Sequence, residues 1–412
     1  MALLRRAGDL LRRTPILRGL PFEAAVVAAI AFCVALGFGI AAPALPLYAS
    51  SFGVSALLAS AVISVFALMR LVTSPFAGAA VDRIGERRVL TGGLLLVAVS
   101  SLFAGLAQDY PQLLVLRGIG GIGSAMFTVS AMALLLRVVA QRQRGRAAGA
   151  FQAGFLIGGV VGPAVGGAVI GLSIRAPFFV YAATLAVASV VAWRYLPARP
   201  EPLPAPADDA EATADGAPTT LRIALRSSAY RAALAANLTN GYVTFGLRMS
   251  LVPLFIVEGL GESATLSGVA FLVAALTNVL VLPRGSRMSD QVGRRPALIV
   301  GTTTTAVGML ILAAAGAGWV LLLAMAVLGA ASAFMGSAPA ATAGDVAGAA
   351  GKGSVIATFQ MTADFGAIVG PLLAGLLADT VGFTWAFLTG AVVAGGATLL
   401  AWAMTETLPR RG

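Results

Sequence analysis

Twelve apolar runs, each of about 20 residues or more, leave this chain one solvent in which it can fold. A helix of that length crosses ~30 Å of hydrocarbon, where only helices and closed barrels satisfy their own backbone groups. The runs fall at 22–50, 55–81, 89–108, 111–136, 147–173, 177–196, 229–258, 265–288, 297–315, 318–342, 354–379 and 384–404. Of the 412 residues, 58% are hydrophobic and 11% charged, whereas a soluble domain carries about 25% charged residues. The expected fold class is an all-α membrane protein with twelve transmembrane helices.

The chain also repeats itself. Residue types recur 208 positions apart: Pro75 and Pro283, Asp82 and Asp290, Gly85 and Gly293, Gly121 and Gly329, Ser124 and Ser332, Gln152 and Gln360, Gly158 and Gly366. One ungapped offset over most of each half implies two copies of a six-helix unit. Parallel copies in a membrane place a binding site between them near the bilayer midplane, which is what a transporter needs. The domains expected are a basic N-terminal segment (1–21), a first bundle (22–196), a linker (197–228), a second bundle (229–404) and a tail (405–412). Prolines alternate with Asp208, Asp209, Glu211 and Asp215 in the linker, as in a solvated tether.

The net charge of +11 raises the question of nucleic acid, and its placement answers it. Arg5, Arg6, Arg12, Arg13 and Arg18 precede the first span. Arg83, Arg87 and Arg88 follow the second, and Arg137, Arg142, Arg144 and Arg146 the fourth. Arg284, Arg287, Arg294, Arg295, Lys352, Arg410 and Arg411 fall on the same side, with Arg175 opposite. The positive-inside rule then makes both termini and the linker cytoplasmic, in a multi-pass protein of the cell's inner membrane. Lipid is therefore the expected partner of this charge, not nucleic acid. Trp193, Trp319, Trp385 and Trp402 fall near span ends, as interfacial anchors do. The first apolar run is too long for a cleavable signal peptide. There is no histidine and one cysteine, Cys33, so neither a disulfide within the chain nor a His/Cys metal site is expected, and no cofactor is called for.

Three motifs carry chemistry. After span 2 comes Gly78-Ala-Ala-Val-Asp82-Arg83-Ile-Gly85-Glu-Arg87-Arg88, and after span 8 a second copy keeps Asp290, Gly293, Arg294 and Arg295. Span 4 carries Arg117, Gly121, Gly123 and Ala125. Span 5 carries Gly149, Gly158, Gly162, Pro163, Gly166 and Gly167, with a partial copy in span 11 at Gly366, Gly370, Pro371 and Gly375. Small residues at four-residue spacing let helix backbones touch, and a proline within a helix bends it. Span 1 adds Leu36, Gly37, Pro43 and Pro46.

Together these residues resemble the major facilitator superfamily, over nearly the whole chain. The span 5 pattern is similar to the motif of its twelve-helix drug:proton antiporter branch. The resemblance implies that Asp82 faces the cytoplasmic start of span 11, near Lys352–Ser354, and biases the outward-open state. It implies a proton-coupling role for Arg117, with a structural tie to backbone carbonyls as the alternative. The span 5 glycines would let two bundles pack and pivot. One departure stands out. Several drug:proton antiporters carry an acidic residue in the middle of span 1, and here that span has only Glu23, near its start. Coupling must then use other groups or be absent.

Charges inside spans are costly, by ~2.5 kcal/mol for an arginine at a helix centre, and mark function by default. Arg70, Arg117, Arg248 and Asp364 are such charges. Arg70 lies twelve residues from Asp82, and Asp364 twelve from Lys352, which sets both ~18 Å from the same surface. In the resembled fold spans 2 and 11 face each other, so the two are expected to meet or share a cavity. Asp364 is the best proton carrier, and Arg70, Arg117 and Arg248 complete the coupling candidates. A static ion pair is the alternative reading. Phe38, Met126, Phe127, Asn240, Tyr242, Phe245, Phe334 and Met335, on spans 1, 4, 7 and 10, are the cavity candidates. Aromatic and methionine surfaces suit varied lipophilic molecules.

The expected function is a monomeric secondary transporter that exchanges small lipophilic compounds for protons by alternating access. A transporter of a polar metabolite, such as a sugar or siderophore, is the alternative, hinted at by Gln152 and Gln360. A membrane enzyme or a non-transporting sensor fits less well. The sequence holds no catalytic constellation and no GxxxxGK[ST] loop for ATP.

Overall fold

The computed structural model describes residues 20–139, 143–198, 220–347 and 353–408. Among them are twelve helices long and apolar enough to cross a membrane. Spans 1 to 6 are Phe22–Ser50, Ala56–Ile84, Glu86–Gly105, Tyr110–Leu135, Arg146–Leu172 and Ala176–Tyr195. Spans 7 to 12 are Ser228–Gly259, Thr265–Val292, Arg294–Ala313, Gly318–Ala347, Ser354–Thr380 and Phe383–Trp402. The basic N-terminal segment, most of the linker, Lys352 and the last four residues lie outside the described residues. Large apolar side chains such as Phe76, Val115, Leu280, Val392 and Leu399 are exposed, as a lipid-facing surface requires.

The chain forms two compact units: residues 1–44 with 65–209, and residues 45–64 with 210–412. In the first, span 5 lies along span 1. A Cβ placed on Gly154, Gly158, Gly162 or Gly166 would come within 2.4 to 2.7 Å of a backbone oxygen of Ala28, Phe32, Leu36 or Ile40. Contact this close is possible only between glycine and bare backbone. Span 4 meets span 2 in the same way, Gly121 against the Phe66 carbonyl, and spans 3 and 4 meet through Gly93 and Gly123. Ser189 of span 6 donates to the Thr91 carbonyl of span 3 (3.1 Å).

The second unit repeats these pairings. Gly329 sits against the carbonyl of Ala274, each 208 residues after its counterpart in the Gly121–Phe66 contact. Span 11 lies on span 7 through Gly366 at Leu238 and Tyr242, and Gly370 at Gly246. Thr398 of span 12 donates to Thr302 of span 9 (2.9 Å). The sequence repeat is therefore a repeat of packing.

The two units do not divide at the linker alone. Span 1 is interrupted at Ala42 and Pro43, where proline removes a backbone donor, and resumes at Ala44. From Leu45 to Ser64 the chain belongs to the second unit. Asp379, near the end of span 11, fixes it. The N–H groups of Ala56 and Leu57, at the start of span 2, donate to Asp379 Oδ1 (2.8 Å) and Oδ2 (2.9 Å). A carboxylate at this position satisfies two orphan donors and opposes the helix dipole, together worth about 0.5–2 kcal/mol. Gly375 approaches the backbone of Ala56 and Leu57, Ser64 Oγ donates to the Ile368 carbonyl (2.7 Å), and Ser50 Oγ to Glu258 Oε1 (2.8 Å).

Span 7 is irregular. It is α-helical over Ser228–Gly241, π-helical over Tyr242–Met249, α-helical over Leu251–Leu254 and π-helical again over Phe255–Gly259. Such wide turns redirect side chains and cluster at functional sites.

Candidate functional site

The two motif loops are built alike. Gly85 (φ +89°) and Gly293 (φ +148°) take the positive φ that turns one span into the next. In the first loop Asp82, Arg83 and Arg88 are exposed, while Glu86 is buried and pairs with Arg137, just beyond span 4 (2.8 Å). That pair was not singled out in the sequence, where Glu86 reads as one more loop charge. Arg87 lies over the Trp193 ring (4.6 Å) and donates to the Leu196 carbonyl (3.3 Å), which ties the loop to span 6.

In the second loop Arg294 is a hub. It donates to Asp290 (2.7 Å), Asp345 (3.1 Å) and the Ser289 carbonyl (2.9 Å). Arg295 donates to the Trp402 carbonyl (2.7 Å). The carboxylate of Glu406, beyond span 12, accepts from the N–H groups of Arg294 (2.9 Å), Arg295 (3.0 Å), Thr407 (2.9 Å) and Leu408 (3.0 Å). Burial works to raise the Glu406 pKa, and the four N–H donors together outweigh it and hold the group below its ordinary value. A depressed carboxyl pKa contributes stability that is present above the unfolded value of about 4.3 and is lost as pH falls through the folded value. Hydrogen exchange at Arg294 and Arg295 should therefore speed up, relative to intrinsic rates, as pH drops below about 4. In Glu406→Ala the same amides should be unprotected at every pH.

The glycine motif of span 5 turns its face to span 1 of its own unit. Gly158, Gly162 and Gly166 make that contact, whereas nothing lies within 4 Å of a Cβ on Gly149. Gly167 is buried, Gly78 has nothing within 4 Å, and the helix runs through Pro163 without interruption.

Among the charges in spans, Arg117 is buried and in no ion pair among the described residues. Its guanidinium lies over the Phe66 ring (4.4 Å), Phe66 stacks on Phe38 (6.5 Å), and Phe38 meets Tyr181 edge-on (6.4 Å). An aromatic face stabilises a desolvated cation by ~2 kcal/mol. Arg70 and Asp364 are half-buried, on span 2 of the first unit and span 11 of the second.

Arg248 opens into a cleft within the second unit. Span 7 contributes Thr239, Asn240, Val243, Thr244 and Arg248 to its lining. Thr305 comes from span 9, and Leu328, Ser332 and Met335 from span 10. Arg248 Nη1 donates to Ser332 Oγ (3.1 Å), and Ser332 donates to the Leu328 carbonyl (2.8 Å). Arg248 Nε is buried with no acceptor.

Three of the residues singled out in the sequence, Asn240, Arg248 and Met335, thus meet here. Others serve packing. Phe127 is buried against Phe151 and Phe155 (6.3 Å each), and Tyr242 is buried with its hydroxyl on Thr389 (2.7 Å). Met126, Phe245 and Phe334 are half-buried outside the cleft. The sequence reading missed Thr239, Thr244 and Thr305, since a threonine in a span usually bonds its own helix. Thr239 and Thr305 do so, to Ala235 and Gly301 (2.8 Å each).

The sequence model of the Major Facilitator Superfamily matches residues 27–283 and 233–412, which together cover most of the chain. The chain belongs to the Major Facilitator Superfamily. This superfamily member is 28% identical over 159 residues to Multidrug resistance protein 2 of Bacillus subtilis (strain 168), covering 39% of this chain and 40% of that protein. It is 25% identical over 160 residues to Quinolone resistance protein NorA of Staphylococcus aureus (strain MRSA252), covering 39% and 41%. The matched stretch thus spans about two fifths of these relatives. A bacterial homologue of the human lysosomal transporter Spinster superimposes with a TM-score of 0.75 at 15% identity, over 93% of this chain and 97% of that one. The nucleoside transporter NupG, in a mutant form, gives 0.70 at 13% identity, over 93% and 99%. These neighbours share the fold of superfamily transporters, and family and fold are those of membrane transporters, not of enzymes.

Proposed function

We propose that the chain exports small lipophilic compounds in exchange for protons, by alternating access, as a monomer. The observation that carries this reading is the span 5 glycine–proline motif, typical of drug:proton antiporters, with its glycine face locked against span 1. The partial-length relatives, named for multidrug and quinolone resistance, support it. The distribution of arginines supports an inner-membrane placement with both termini cytoplasmic. Asp364 is the proton carrier in this reading, and Arg70, Arg117 and Arg248 are the further coupling candidates. Asp82, Gly78 and Gly85 form the gate loop on the cytoplasmic side.

One observation favours a second reading, transport of a polar metabolite. The lining of the cleft around Arg248 includes hydroxyl, amide and guanidinium groups. A drug-susceptibility panel in an efflux-deficient host separates the two. Raised tolerance to several unrelated lipophilic compounds supports drug export. Unchanged tolerance, with uptake or release of one polar solute, supports the alternative.

A further inference from the structure

We infer that the cleft between spans 7, 9 and 10 binds the anionic head of an amphiphilic substrate, a carboxylate being the simplest case, with Arg248 as its counter-charge. The inference rests on the transport reading and adds a substrate class to it. Four observations carry it.

The first is the state of the arginine. Arg248 Nη1 donates to Ser332 Oγ, but its Nε is buried without an acceptor. Arg248 forms no ion pair among the described residues, and the lining contains no carboxylate. A buried guanidinium otherwise pairs, so this one has capacity left for an anion.

The second is the donor set. Asn240, in the lining, accepts from Thr244 with its Oδ1 (3.3 Å), so its amide N–H groups are not used by that bond. Thr239, Thr305 and Ser332 donate their hydroxyl protons to carbonyls of their own helices. What the cleft offers is N–H from Arg248 and Asn240, a set that suits an oxyanion and repels a cation. Val243, Leu328 and Met335 complete the lining with apolar side chains.

The third is the backbone. Arg248, Val243 and Thr244 all sit in the π-helical stretch Tyr242–Met249, whose wide turn sets their direction. Gly241 and Gly246 clamp that stretch on span 11, where a Cβ would come within 2.1 Å of the Ala363 carbonyl or 2.7 Å of Gly370.

The fourth is the broken repeat. Span 7 sits two residues out of the 208 register, because Gly158 meets Phe32 and Leu36 where Gly366 meets Leu238 and Tyr242. Asn240, Thr244 and Arg248 therefore stand at about the levels of Val34, Phe38 and Ala41 of span 1, and Thr305 stands where span 3 has Val97. Packing of the shared scaffold is met by those apolar residues, so the polar set in the second copy serves something else.

The test uses the full-length protein in lipid nanodiscs, without any gradient, and the probe pair 2-naphthoate and neutral 2-naphthamide in equilibrium dialysis. The wild type should bind the carboxylate about tenfold more tightly than the amide, a difference of about 1.4 kcal/mol. Arg248→Gln should bring the two probes level, and Arg248→Lys should keep some of the preference, since it retains charge without the planar fork. Should Arg248→Gln lose its thermal transition, Ser332→Ala and Arg248→Lys decide instead, each expected to narrow the preference. Equal binding of the two probes by the wild type overturns the inference, as does an undiminished preference in Arg248→Gln. A wild type that exports a neutral dye yet shows no preference sinks this inference and leaves the export reading intact. One that prefers the anion yet moves nothing does the reverse.

Discussion

Gly158→Val should leave almost no monodisperse protein after extraction, while Gly149→Ala should behave as the wild type or slightly better. Both glycines belong to the same span 5 motif, and the structure separates them. A Cβ on Gly158 would lie 2.5 Å from the Phe32 carbonyl oxygen, 2.7 Å from Leu36 N and 2.8 Å from Ala35 Cβ. The first two of those atoms are backbone of span 1, which no rotamer change can move. Overpacking by a methylene in an ordinary core costs about 1–3 kcal/mol. Here the added atoms must push span 5 away from span 1, which it touches at Gly154, Gly158, Gly162 and Gly166, so close contact is lost along the whole seam. Around Gly149 the space is open, and alanine favours a helix by about 1 kcal/mol over glycine. Size-exclusion profiles and thermal transitions of the two variants, side by side, check this. Equal tolerance of both would mean that spans 1 and 5 are not held backbone to backbone.

Asp364→Asn should abolish substrate-induced proton release and gradient-driven efflux, down to the level of protein-free vesicles, while the protein still folds and binds. Asparagine keeps the size and a hydrogen-bonding carbonyl but cannot carry the proton. Span 11 should tolerate the change, because two residues further on Gly366 locks the helix to the Leu238 carbonyl and Tyr242 N of span 7, with no side chain involved. A purely structural ion pair predicts the other pattern: lowered stability, with proton release per substrate unchanged in whatever protein remains. Binding, thermal midpoint and proton release measured on the same preparation tell the two apart.

How much of this was legible in the sequence varies with the physics behind each feature. The twelve spans and the 208-residue repeat could be read directly, because span length is fixed by the bilayer and glycine spacing by backbone contact. The Gly121–Phe66 and Gly329–Ala274 contacts show that the repeat encodes packing itself. The place of Leu45–Ser64 was not legible. It depends on the Asp379 carboxylate meeting two amides more than 300 residues away, and a lone aspartate near a span end reads equally well as a topology signal. Glu406 is similar: four amide donors converge on a carboxylate that reads in the sequence as an ordinary tail charge.

The candidate site was half legible. Arg248 announces itself as a charge within a span, and Ser332 as a polar residue kept in both copies. Phe127 and Tyr242 were read as cavity residues because they are aromatic and lie on spans 4 and 7. Composition does not say which face of a helix a residue occupies, and both face their own bundle. Thr239 and Thr305 carry no sequence signal that separates them from the many threonines that only bond their own helix. The π-helical turns that gather Val243, Thr244 and Arg248 have none either.

The central claim, that this superfamily transporter exchanges a small molecule for protons, is tested most directly in sealed proteoliposomes loaded with a lipophilic fluorescent dye. With the lumen made acidic, the wild type should concentrate dye inside against its gradient, and the lumenal pH should rise in step with dye entry. Dissipating the pH gradient with a protonophore should release the accumulated dye. Dye distribution that only equilibrates, and is indifferent to the imposed pH difference, would contradict the account.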